Sequence, residues 1–185
     1  ALREAVALAP GLAAAHNNLG IVLRSLRQDD EALCCFERAA RANPAYAEAW
    51  CNAGRVLFDR ERWDDAIGCF EHALALNPGN ARALHLLGLC RHKQRDLERA
   101  EACYRRALAL DPGHPGAHVD MGNVCLDRGD FDGMADWYRR ALVFTPDDAA
   151  AFGNVARMFR DLGRWDEALA LYDAALRLEP DSVDT

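Results

Sequence analysis

His85, Cys90 and His92 form the densest run of metal-capable side chains in the 185-residue sequence. A pair of zinc ligands on a helix takes an i, i+4 spacing. His85 and His92 are seven positions apart and Cys90 points elsewhere, so a solvated histidine face is expected and no metal. The seven cysteines are odd in number, lack paired spacing and include no CxxC, which argues against both a disulfide framework and structural zinc. Cys35, Cys69 and Cys103 recur at one interval and read as small apolar residues at a helix contact. Such thiols suit a reducing, cytoplasmic setting. No nucleophile–base–orienter set, phosphate loop or paired-carboxylate pocket emerges, so neither catalysis nor a cofactor is expected.

A second chemistry is available, that of the amide. Asn18, Asn52, Leu86, Asp120 and Asn154 form a row with a 34-residue step. An Asn side chain donates and accepts at once. A row of them can therefore hold an extended peptide by its backbone, whatever its side chains are. Asn17, Arg55, Arg82, His85, Asn123 and Arg157 fall on the same helix faces by period and complete the candidate peptide-binding set. The bland alternative is that these asparagines cap or bridge neighbouring helices.

The elements that position this row follow from the same step. Pro10, Pro44, Pro78, Pro112, Pro146 and Pro180 are spaced by 34 every time. Proline cannot continue a helix and disfavours helix in the residue before it, so the ladder ends one helix per period. Small residues recur at Gly20, Gly54, Gly88, Gly122 and Ala156, where only a small side chain lets two backbones approach. The aromatic series Phe36, Phe70, Tyr104, Tyr138 and Tyr172 fills the space between. First helices are expected near 13–26, 47–60, 81–94, 115–128 and 149–162. Second helices are expected near 30–42, 64–76, 98–110, 132–144 and 166–178. Gly129 and Gly163 stand where a first helix turns out of helical geometry, and Pro115 where one begins.

This pattern resembles the tetratricopeptide repeat, a 34-residue helix–turn–helix unit. The resemblance implies an all-α fold, a right-handed α-solenoid in one array over 1–185. Its repeats are 13–46, 47–80, 81–114, 115–148 and 149–182, and 1–12 is the tail of a preceding repeat. Departures are His16, Leu84 and His118 at the early aromatic position, and Met134 at a small one. The resemblance further implies that first helices line a concave groove for a protein or peptide ligand. Asn18, Asn52 and Asn154 are similar to the asparagine ladder of O-linked N-acetylglucosamine transferases, where such an array recruits substrates for a larger enzyme. With Asn17, Ile21 and Leu86 at the key places, the carboxylate clamp of chaperone-binding relatives is not matched.

A net charge of −7 argues against non-specific nucleic-acid binding, and no apolar run approaches membrane-spanning length. Apolar Leu2, Val6 and Leu8, with Tyr172, Ala175, Leu176 and Leu178, suggest open array ends that could stack head to tail into a homo-oligomer.

Overall fold

The computed structural model describes residues 11–179, and no strand occurs among them. The helices are α1 (Ala13–Ser25), α2 (Asp29–Ala42), α3 (Ala47–Asp59), α4 (Trp63–Leu76) and α5 (Ala81–Lys93). They continue with α6 (Leu97–Leu110), α7 (Pro115–Asp127), α8 (Phe131–Val143), α9 (Ala149–Asp161) and α10 (Trp165–Leu178). Each expected helix is present, its bounds within a residue or so of those read from the sequence. Pro44, Pro78, Pro112 and Pro146 lie outside helices. Leu2, Val6 and Leu8, in the tail of the preceding repeat, fall outside the described residues.

The chain divides into two compact units, Ala1–Asp111 and Pro112–Thr185. In the first, α1–α2, α3–α4 and α5–α6 are antiparallel pairs, and each second helix packs on the next first helix. In the second, α7–α8 and α9–α10 pair, with a further contact between α8 and α9. The core of the first unit is built around Leu23, Phe36, Val56, Ile67 and Phe70. That of the second is built around Met134, Tyr138, Leu142, Val155 and Phe159. Fully burying a side chain of this size is worth about 1.5–3 kcal/mol, so these residues hold the pairs together.

The glycine row does what its spacing implies. A Cβ on Gly20 would stand 2.6 Å from the Phe36 ring, and one on Gly88 would stand 2.5 Å from the Tyr104 ring. Aromatic and backbone meet at these crossings with no room for a methyl group.

The turns inside the pairs share one device. Gln28 N–H donates to Leu23 O at 2.9 Å and Arg27 N–H donates to Arg24 O at 3.0 Å, the two bonds of a Schellman motif. The longer bond recurs from Arg62 to Leu57, Asp96 to Arg91, Asp130 to Cys125 and Arg164 to Phe159. The motif needs a left-handed residue. Gly129 and Gly163 supply it with φ of 77° and 73°, as the sequence suggests. In the first unit the same position is held by Arg27, Glu61 and Arg95, with φ of 61°, 59° and 64°.

Helix starts also differ along the chain. α5 through α9 are each capped by a side chain: Asn80, Asp96, His114, Asp130 and Asp148 accept a backbone N–H three residues on. The first four helices have no such bond. His118 takes over the role of the aromatic it replaces. Trp50 Nε1 donates to Pro44 O at 3.2 Å, and His118 Nε2 lies 2.9 Å from Pro112 O at the equivalent place. A carbonyl only accepts, so Nε2 carries the proton there. The ring stacks on Phe144, centroids 5.3 Å apart.

Candidate functional site

The first unit presents an open cleft of about 900 Å³ along its first helices. Its apolar wall is Ile21 of α1, Phe58 of α3 and Trp63 of α4, the last two rings edge-on with centroids 5.1 Å apart. Four cations surround it: Arg24, Arg27, Arg55 and Lys93, against Asp29, Asp59 and Glu61. Asp59 serves two guanidinium groups. Arg55 Nε donates to its Oδ1 at 3.1 Å, and Arg24 Nη2 lies 3.7 Å from its Oδ2. One carboxylate shared by two cations leaves local charge for a ligand to meet. The Arg55 guanidinium also stands 5.9 Å from the Phe58 ring centroid, tying charged and apolar walls together.

The asparagines divide into two kinds. Asn18 is exposed on α1. Asn17 and Asn52, both expected in the groove, are 0% and 4% exposed, which corrects the expected accessibility of Asn52. Asn52 Nδ2 donates to Asn17 Oδ1 at 2.9 Å, bridging the first helices of successive repeats. Asn17 Nδ2 in turn faces Tyr46 Oη at 3.3 Å and Glu48 Oε1 at 3.5 Å. A buried amide keeps its partners because leaving one unmade costs more than making it gains. Burial, followed by the nearby Glu48 charge, raises the Tyr46 phenol above its ordinary range.

Arg82 is exposed in the first turn of α5. Burial pushes the Cys51 thiol up, and the Arg82 charge partly offsets this. His85 is half-buried, its ring centroid 5.8 Å from that of Tyr104. Among the described residues no group of three His, Cys, Asp or Glu could hold a metal ion.

The second unit carries its own part of the predicted set. Asp120 and Asn123 are half-buried on α7, with Asn123 Nδ2 3.3 Å from Asp120 Oδ1. Asn123 Oδ1 accepts from the Tyr138 hydroxyl at 2.6 Å, so this amide also supports the core. Asn154 and Arg157 are both exposed on α9 and hydrogen-bond to each other. Arg164 and Arg139 both pair with Glu167, linking α8 to the start of α10. The Arg164 hydrogen bond is the main cause that holds the Glu167 carboxyl below its ordinary value.

Of the set read from the sequence period, Arg55 lines this cleft, beside Ile21, Arg24, Asp59 and Lys93 of the same first helices. Sequence reasoning missed Phe58, Trp63, Arg27 and Glu61. Phe58 was findable, since it lies one turn beyond Arg55 on the same face. At α10, Leu176 and Leu178 are exposed as expected, whereas Ala175 is fully buried and Tyr172 half-buried.

Tetratricopeptide repeat models match residues 13–46, 30–68, 51–115, 92–149 and 151–183. The chain belongs to the tetratricopeptide repeat family. Among solved structures it is similar to PilW, a type IV pilus biogenesis factor, with a TM-score of 0.86 and 24% identity over 99% of this chain and 85% of that one. YrrB, described as a TPR protein with an unusual peptide-binding site, gives a TM-score of 0.70 and 23% identity over 100% and 95%. MamA of Desulfovibrio magneticus RS-1 gives 0.72 and 23% over 78% and 82%. At these identities the likeness shows the fold, an all-α tetratricopeptide repeat solenoid. That fold is typical of protein–protein interaction modules. No curated protein matches the sequence. No helix among the described residues is long and apolar enough to cross a membrane.

Proposed function

We propose that the chain is a protein-interaction module whose first unit binds an extended peptide or a partner helix along its first helices. The observation that carries this is the cleft of about 900 Å³, in which three successive first helices supply cations and α3 and α4 supply apolar rings. Asn18, Arg82 and His85 extend the contact surface of that unit. Asp120, Asn123, Asn154 and Arg157 form a second contact row on the other unit. Asn17 and Asn52 contribute by fixing the spacing of α1 and α3. The peptide-binding site ascribed to YrrB supports a peptide ligand. The five repeats, 13–46 through 149–182, act here as a binding scaffold without catalysis, cofactor, nucleic acid or membrane.

The test is capture of partners with the purified protein, mapping of the bound segment by cross-linking, and binding of that synthetic segment by titration. Phe58→Ala with Lys93→Glu should weaken the segment at least tenfold while the helical circular dichroism is retained. A segment that cross-links elsewhere, or binds the double variant equally well, refutes the reading.

A further inference from the structure

Within each unit the junctions between successive repeats can be compared position by position. Where a second helix meets the next first helix, residues twenty apart in sequence face each other. Between α4 and α5 they are Glu71 and Arg91, paired at 2.9 Å, with the Arg91 side chain only 19% exposed. Between α8 and α9 they are Arg139 and Phe159, the guanidinium 6.0 Å from the ring centroid. In both an arginine lies over the junction. Between α2 and α3 the equivalent residues are Glu37 and Leu57. A carboxylate stands beside a leucine, and no arginine takes the place of Arg91; the cation that does cross, Arg60 to Asp30 at 2.6 Å, is at the end of α3. Glu37 instead pairs with Arg41 one turn along its own helix, at 3.3 Å, both side chains well exposed. Exposed pairs of this kind contribute little, so Glu37 can exchange Arg41 for a better-placed guanidinium.

At this junction lies a groove of about 440 Å³, walled by Leu33, Trp50, Leu57 and Cys69 and edged by the exposed Glu37–Arg41 pair. It shares no lining residue with the cleft described above. One repeat on, Arg91 crosses the junction; here the cation of the groove, Arg41, stays at its edge on the helix that carries Glu37. Burial, then Asp65 and Glu37, push the Cys69 thiol up to about 11, with Arg62 opposing. At the equivalent Cys103, Arg91 opposes Glu71.

We propose that this groove seats an arginine side chain of a partner protein. Its aliphatic stem lies against Leu33, Trp50 and Leu57, and its guanidinium meets Glu37, as Arg91 meets Glu71 one repeat on. Arginine suits this place because it combines an apolar stem with a forked donor for a carboxylate. The site does not depend on the cleft along the first helices.

The probe is a blocked eight-residue peptide with one arginine between leucines, titrated into the whole protein by NMR. Shifts should centre on Glu37, Trp50, Leu57 and Cys69. Replacing the peptide arginine by norleucine, or Glu37→Gln in the protein, should weaken binding about tenfold, the range for a charged hydrogen bond. Leu57→Arg supplies the cation internally and should abolish binding, whereas Phe58→Ala should leave it unchanged. Equal affinity of the norleucine peptide, unchanged binding by a folded Glu37→Gln protein, or absence of shifts at millimolar peptide overturns the proposal. Should Leu57→Arg fail to fold, the norleucine and Glu37→Gln comparisons decide it alone.

Discussion

Gly88→Ala and Gly68→Ala are the same change in two settings. Both glycines lie inside helices, α5 and α4, so each substitution gains about 0.5–1 kcal/mol of helix propensity and reduced unfolded entropy. Gly68 is exposed and a Cβ there meets nothing within 4 Å. At Gly88 the new Cβ would stand 2.5 Å and 2.7 Å from two Tyr104 ring carbons, and Tyr104 is fully buried. The ring cannot swing into solvent, so the helices must part. Overpacking of one methyl group costs about 1–3 kcal/mol. Subtracting the two variants cancels the propensity gain and leaves the clash. Gly68→Ala should be stabilised by about 0.5–1 kcal/mol and should exceed Gly88→Ala by about 1–3 kcal/mol. Guanidinium denaturation followed by circular dichroism reads both, with hydrogen exchange locating the loss in α5 and α6. A difference below about 0.5 kcal/mol, the scatter of neutral surface changes, would show that the crossing has slack and that steric exclusion is not why glycine stands there.

Three further outcomes are expected. Asn52→Ala strands the buried Asn17 carbonyl and should cost about 1–3 kcal/mol, whereas Asn18→Ala at the exposed neighbour should stay within about 0.5 kcal/mol; equal effects in denaturation would refute the bridge. Burial, with Asp120 as the next cause, raises the Tyr138 phenol above its ordinary value. The folded state therefore holds that proton more tightly than the unfolded chain, and the stabilisation, complete below about pH 10, is lost as pH rises. The alkaline fall in melting temperature should be shallower for Tyr138→Phe; identical pH profiles would refute this. Glu61→Gly removes a left-handed L-residue costing about 1–2 kcal/mol and adds unfolded freedom worth about 0.4–1 kcal/mol. A small net stabilisation should appear in thermal melts, and a loss would mean that Glu61 holds a partner.

Helix ends were legible in the sequence because proline and glycine act locally. Pro44 or Pro78 forbids helix whatever surrounds it. The left-handed positions of the first unit were not legible, because Arg27, Glu61 and Arg95 carry no sign of their backbone angles; only the Schellman hydrogen bonds impose them. The asparagine row was legible as a row and ambiguous as a site. Asn17 and Asn52 sit one step apart around the helix in adjacent repeats, and that offset turns them toward each other. The period gives a residue's face, whereas the partner across the junction decides whether that face meets solvent. Glu37 and Leu57 show the reverse: their mismatch could be read from the twenty-residue offset once Glu71–Arg91 revealed what the offset means.

The turn residues carry one more implication. Gly129 and Gly163 close their hairpins in relaxed geometry and project nothing outward. Arg27 and Glu61 hold the same bend with an L-residue, and both side chains line the cleft. A glycine at either place would make a firmer hairpin with a blank corner. Recognition chemistry and a comfortable backbone therefore compete for these two positions. Engineering this scaffold for thermal endurance by consensus glycines would erase ligand determinants from its most decorated edge.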